Sequence, residues 1–118
     1  MARDRWHIQR EGDRLILSRT ATARFDFVGV AVLPDMSRRR LAQQIRQDMW
    51  RQLQGLRGFS PVVEVVRIGG ALSVRAGGQV DARNFPKEMA ENTVCEMLEC
   101  RANRSRWMQF AAHRKVAA

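Results

Sequence analysis

The chain has 118 residues, 45% of them apolar and 28% charged, which suits one folded domain, leaves no room for two and excludes a disordered chain. Its formal net charge is +9, from 21 basic against 12 acidic residues, and so positive a chain attracts polyanions. Nineteen of the 21 basic residues are arginine, whose planar fork of donors fits phosphate or carboxylate.

The N-terminal segments 6–9 and 14–19 alternate in polarity around Glu11-Gly12, the pattern of a β-hairpin. With Glu11 and Gly12 as the turn, Ile8 faces Leu15 and Trp6 faces Leu17, gathering the large apolar groups on one side. Residues 25–33 form a third strand after a polar link. Being apolar on both sides from Phe27 onward, it is expected in the middle of the sheet, with Pro34-Asp35 ending it.

Residues 37–56 are the clearest helix, because Leu41, Ile45, Met49, Leu53 and Leu56 recur at helical spacing. Asp35 or Ser37 supplies the N-cap oxygen, and Gly55 or Gly58 the left-handed end. Segments 62–68 and 71–76 flank Gly69-Gly70, a tight hairpin that pairs Val65 with Val74 on the buried side and Glu64 with Arg75 on the other. Gly77-Gly78 is expected to end the second of these strands.

Pro86 opens a second helix at the first helical position. Met89, Ala90, Val94, Met97 and Leu98 make its buried stripe, and Glu88, Glu91, Glu96 and Glu99 a solvated one. Around 101–106 the arginines rotate into the apolar stripe, predicting a bend or break before a short helix carrying Trp107, Met108, Phe110 and Ala111. The expected architecture is α+β: a five-stranded, mostly antiparallel sheet in the element order β-β-β-α-β-β-α, with two helices on one face. A single domain spans 1–118, with frayed ends at 1–5 and 114–118.

The first helix carries the best candidate site. Arg39, Arg46, Trp50 and Arg57, spaced seven, four and seven apart, fall on one strip beside the apolar face. Arg38 and Arg40 add charge at the N-terminal end, where the helix dipole favours an anion. Such a strip follows a phosphate backbone, with Trp50 available to stack on a base; the competing reading is a solvated helix face. A second basic group, Arg101, Arg104, Arg106, Arg114 and Lys115, is interleaved with Trp107 and Phe110, aromatics that equally serve to dock the last helix.

Other chemistry finds little support. Gly55-Leu56-Arg57-Gly58 has the G-x-x-G form of a backbone clamp, but a strand follows it where a helix is needed. Cys95 and Cys100 have neither metal-ligand nor disulfide-framework spacing and read as small core residues. Asp26, Asp35, Glu64 and Asp81 are acidic candidates for catalysis only by elimination. The sequence thus predicts a small non-enzymatic binding protein that contacts nucleic-acid phosphates through an arginine-rich helix, without cofactor, metal, small-molecule substrate or membrane partner. The alternative is a protein-interaction or adaptor module, with a homodimer as one form of it, using the open sheet face or the Met-rich second helix with Met89, Met97 and Met108. The longest apolar run, 27–33, is too short to span a bilayer and no signal pattern opens the chain, so the expected location is cytoplasmic.

Overall fold

The computed structural model describes residues 6–113. The expected frayed ends, with Arg114 and Lys115, lie outside the described residues. The chain runs β1 (His7–Glu11), β2 (Arg14–Ser18), β3 (Phe27–Pro34), α1 (Arg38–Leu53), β4 (Phe59–Ile68), β5 (Ala71–Val80), α2 (Lys87–Glu99) and α3 (Arg101–Ala111). The five strands form one antiparallel sheet in the order β1-β2-β4-β5-β3, an α+β arrangement. Helices α1 and α2 cover one sheet face, and α3 packs against both. Leu15 and Leu17 of β2, Val63 and Val65 of β4, and Leu72 and Val74 of β5 point from the sheet into a core closed by Leu41, Ile45 and Met49 of α1 and Ala90, Val94 and Leu98 of α2.

Two expectations about the strands change. The third strand is an edge, not the centre; the centre belongs to β4, whose Val62, Val63, Glu64 and Val65 are buried on both faces. Two-sided apolarity misplaces β3 because α2 covers only its inner side, leaving Val30 64% and Val32 66% exposed on the other. Strand β5 also runs through Gly77-Gly78 to Val80. A Cβ at Gly77 would collide with the Phe27 carbonyl, and one at Gly78 with the Ser60 carbonyl, so these glycines admit close neighbouring backbone and do not end the strand.

Turn chemistry sets the hairpin registers. Gly69 has φ +61° in the turn between Ile68 and Ala71, and the pairs Val65–Val74 and Glu64–Arg75 form as expected. In the first hairpin the turn residues are Gly12 and Asp13, not Glu11 and Gly12, so Glu11 pairs with Arg14 and Ile8 with Leu17. Gly12, at φ +60°, occupies the first central position, where a type II′ turn requires glycine. The two-residue shift keeps every side chain on its face but changes its partner.

The helices are shorter and more numerous than expected. Helix α1 begins after Ser37, whose hydroxyl accepts from Arg40 N–H at 3.3 Å, and has Gln54, not a glycine, as its C-cap. Gly58 is left-handed at φ +76°, but it leads into β4. Pro86 is the N-cap of α2 and not its first residue. Met89 is exposed at the start of that helix, and Glu91 accepts from the Val28 N–H at the β3 edge at 3.1 Å, so it is not simply solvated. Cys95 is exposed beside Gly29, outside the core.

The expected break falls at Cys100, whose backbone is extended, just before the arginines of 101–106, which lie inside α3; the chain thus has three helices and not the two of the expected element order. Side chains of α3 satisfy the carbonyls left at the end of α2: Asn103 donates to Met97 O at 3.1 Å and Arg104 Nε to Leu98 O at 2.6 Å.

Gly77→Ala should destabilise the protein by at least about 2 kcal/mol, since the strands cannot separate without losing ladder bonds. Gly70→Ala, with open space at its Cβ, should stay within about 0.5 kcal/mol of wild type. Thermal unfolding followed by circular dichroism compares the two.

Candidate nucleic-acid interface

The flank of α1 that faces the first hairpin gathers Arg46 and Arg19 around the rings of Trp6 and Trp50. Arg46 lies with its guanidinium 4.5 Å from the centre of the Trp6 ring, and the Arg19 guanidinium lies 5.4 Å from the same ring and 6.0 Å from that of Trp50. Trp50 is 38% exposed and stacks on Phe59, with ring centres 6.1 Å apart and planes 14° from parallel. Among the described residues Arg46 makes no ion pair, and its Nε–H is buried without a hydrogen-bond partner. Burial first, and the neighbouring Arg19 charge second, pull the Arg46 pKa below its ordinary value, yet an arginine stays charged at neutral pH.

At the N-terminal end of the same helix lies a recess of about 190 Å³ lined by Arg10, Arg38, Arg39, Arg67 and His113. Asp35 offsets part of this charge, bonding Arg67 Nε at 3.0 Å and lying 3.3 Å from His113 Nε2. The hydrogen bond from Arg67 holds the Asp35 carboxyl below the usual carboxylate range. Arg38 also donates to the Gly12 carbonyl at 3.2 Å, tying the helix to the hairpin turn. From Arg39 to Trp50 the flank of α1 extends for about 16 Å.

The predicted site residues therefore divide. Arg39, Arg46 and Trp50 stand along one cleft, with Arg38 at its N-terminal mouth. Arg40 is half-buried in the first turn of α1, and Arg57 lies beyond the helix end beside a separate cavity. The arginines of α3 are elsewhere, and two of them are committed to other work. Arg104 bonds Leu98 O and Glu99, the latter at 3.2 Å. Arg106 bonds Asp48 at 2.7 Å, Asn103 at 2.9 Å and Gln44 at 3.3 Å. Arg101 is exposed at the start of α3. Trp107 is fully buried and donates its indole N–H to Asp48 at 2.7 Å, whereas Phe110 is half-exposed.

Sequence reasoning missed Trp6 and Arg19 as members of the cleft. The observed hairpin register, continued one step beyond His7–Ser18, sets Trp6 opposite Arg19, where the expected register set it opposite Leu17. The signal was the turn: Gly12 at its first central position dictates this pairing.

The four acidic candidates do not converge. Glu64, 6% exposed, is bridged by Arg14 at 2.7 Å and Arg75 at 3.2 Å on the open sheet face. Asp26 accepts from Arg24 at 3.1 Å and from Val80 N–H at 2.8 Å, and these two bonds lower its pKa. Asp35 serves Arg67, and Asp81 is exposed beside Gly58. Among the described residues no three metal-ligating side chains come together, and no helix is long and apolar enough to cross a membrane. No family model matches the chain, and no curated protein or solved structure is significantly similar to it.

Because Asp48 is a buried acceptor shared by Trp107 and Arg106, Asp48→Ala should cost about 3 kcal/mol by leaving both donors without it. Urea unfolding followed by tryptophan fluorescence measures the loss.

Proposed function

We propose that this is a non-enzymatic binding protein that holds nucleic-acid phosphates in the cleft between α1 and the first hairpin. The observation that carries this reading is Arg46, a half-buried cation beside a second cation, with a buried Nε–H that no described residue satisfies. The negative face of Trp6 stabilises the Arg46 charge but supplies no acceptor in the plane of the guanidinium, and an anion that reaches Arg46 takes the unsatisfied donor. Arg39 and the basic recess extend the same potential along the helix, so a ligand with several linked negative charges gains more than a single ion. The reading is one of binding because the acidic residues Asp26, Asp35 and Glu64 are each engaged by arginine.

A second reading, a protein-interaction surface, draws on the open sheet face. Val30 and Val32 on the edge strand and Ile68 on β4 stand exposed there, around the Arg14–Glu64–Arg75 bridge. An uncovered apolar edge invites strand addition or self-association.

Arg39→Ala combined with Arg46→Ala should weaken binding to a mixed pool of RNA and DNA oligonucleotides by about tenfold or more. The slope of log affinity against log salt should become shallower by about 1 to 2. Fluorescence anisotropy at several salt concentrations reads both; unchanged affinity removes the cleft as the site. For the second reading, light scattering should detect an oligomer that Val30→Lys with Val32→Lys dissociates, and a monomeric wild type removes it.

A further inference from the structure

A cavity of about 370 Å³ opens where the end of α1, the segment 82–86 and the first turn of α2 meet. Its walls are apolar, built from Leu56, Phe85 and Met89, and its polar groups are Gln52, Asn84 and Arg57. Phe85 is half-buried and held against Phe27, with ring centres 6.0 Å apart, so this wall is anchored to the core. Among the described residues none of the three polar side chains has a hydrogen-bond or ion-pair partner. We propose that this cavity takes one base of a single-stranded nucleic acid, and that the polyanion bound by the protein is therefore single-stranded and not duplex. The inference rests on the reading of the α1 cleft as a phosphate site and adds to it the class of nucleic acid.

The chemistry of the lining favours a base over other ligands of similar size. An aromatic ring, a thioether and a leucine offer flat apolar contact to a planar heterocycle. Each amide carries both a donor and an acceptor, which matches the mixed edge of a nucleobase. Arg57, on the same lining, is placed to bond the phosphate of that nucleotide. A simple apolar acid would use Arg57 and leave both amides idle.

Placement argues for a flexible strand. Trp50 marks the cleft and Gln52 the cavity, and two helical residues separate them by about 200° of turn. A nucleic acid that reaches both must bend around the C-terminal end of α1, past the exposed Arg51. A duplex, with a persistence length of about 150 base pairs, does not bend so tightly, and its bases are paired inside the stack. A single strand meets both demands.

The test measures anisotropy at one low salt concentration with three labelled probes of about twelve nucleotides. They are a mixed-sequence single strand, the matching duplex, and a single strand with abasic sites in place of its bases. Wild type should bind the intact single strand about tenfold more tightly than the duplex or the abasic strand. Gln52→Ala with Asn84→Ala, both at exposed positions, should remove most of that preference and leave duplex affinity unchanged. Equal wild-type affinity for all three probes, or a preference that survives in the double variant, overturns the base pocket while the phosphate cleft stands. Failure of wild type to bind any probe overturns the cleft and the pocket together.

Discussion

The buried carboxylate of Asp48 sets the orientation of the helical layer. It accepts the Trp107 indole N–H and the Arg106 guanidinium, each at 2.7 Å, and so fastens α3 against α1. A carboxylate removed from water requires such partners, and a fully buried indole N–H requires an acceptor. With Asp48 turned to α3, the helical repeat carries Arg46 and Trp50 round towards the first hairpin. One polar contact thereby decides which arginines are structural and which stand over the cleft.

The sheet follows the same logic. Glu64 sits at the centre of its open face, bridged by Arg14 and Arg75 from the strands on either side. These arginines, with Arg104 and Arg106, show that much of the positive charge is spent in internal pairs. Along α1, in contrast, Arg46 makes no ion pair among the described residues and lies over the Trp6 ring, while Asp35 offsets charge at the N-terminal end. An aromatic face in place of a carboxylate is what distinguishes Arg46 from Arg14, Arg75 and Arg106.

Much of the fold was legible because it rests on local periodicity. The apolar stripe of α1, the Gly69-Gly70 hairpin and its Glu64–Arg75 pair need only spacing and turn preference. Of the candidate site, Arg39, Arg46 and Trp50 were legible as one strip for the same reason. Trp6 and Arg19 were not, because the turn lies at Gly12-Asp13, one residue later than Glu11-Gly12, and each such step moves a cross-strand partner by two. The division between Arg46 and Arg106 was also hidden. Both are arginines beside apolar residues, and only a contact 58 residues away in sequence, from Arg106 to Asp48, separates their roles.

The sequence by itself determined the α+β class, the strand and helix types and the charge strip on α1, because these depend on neighbours within a few residues. Tertiary structure alone decided that β3 is an edge, that Gly77 and Gly78 lie within a strand, that α2 and α3 separate at Cys100, and that Arg46 meets Arg19 over Trp6. Each of these depends on which distant backbone or side chain arrives at a given place, and burial, collision and ion pairing at that place carry no signature in local spacing.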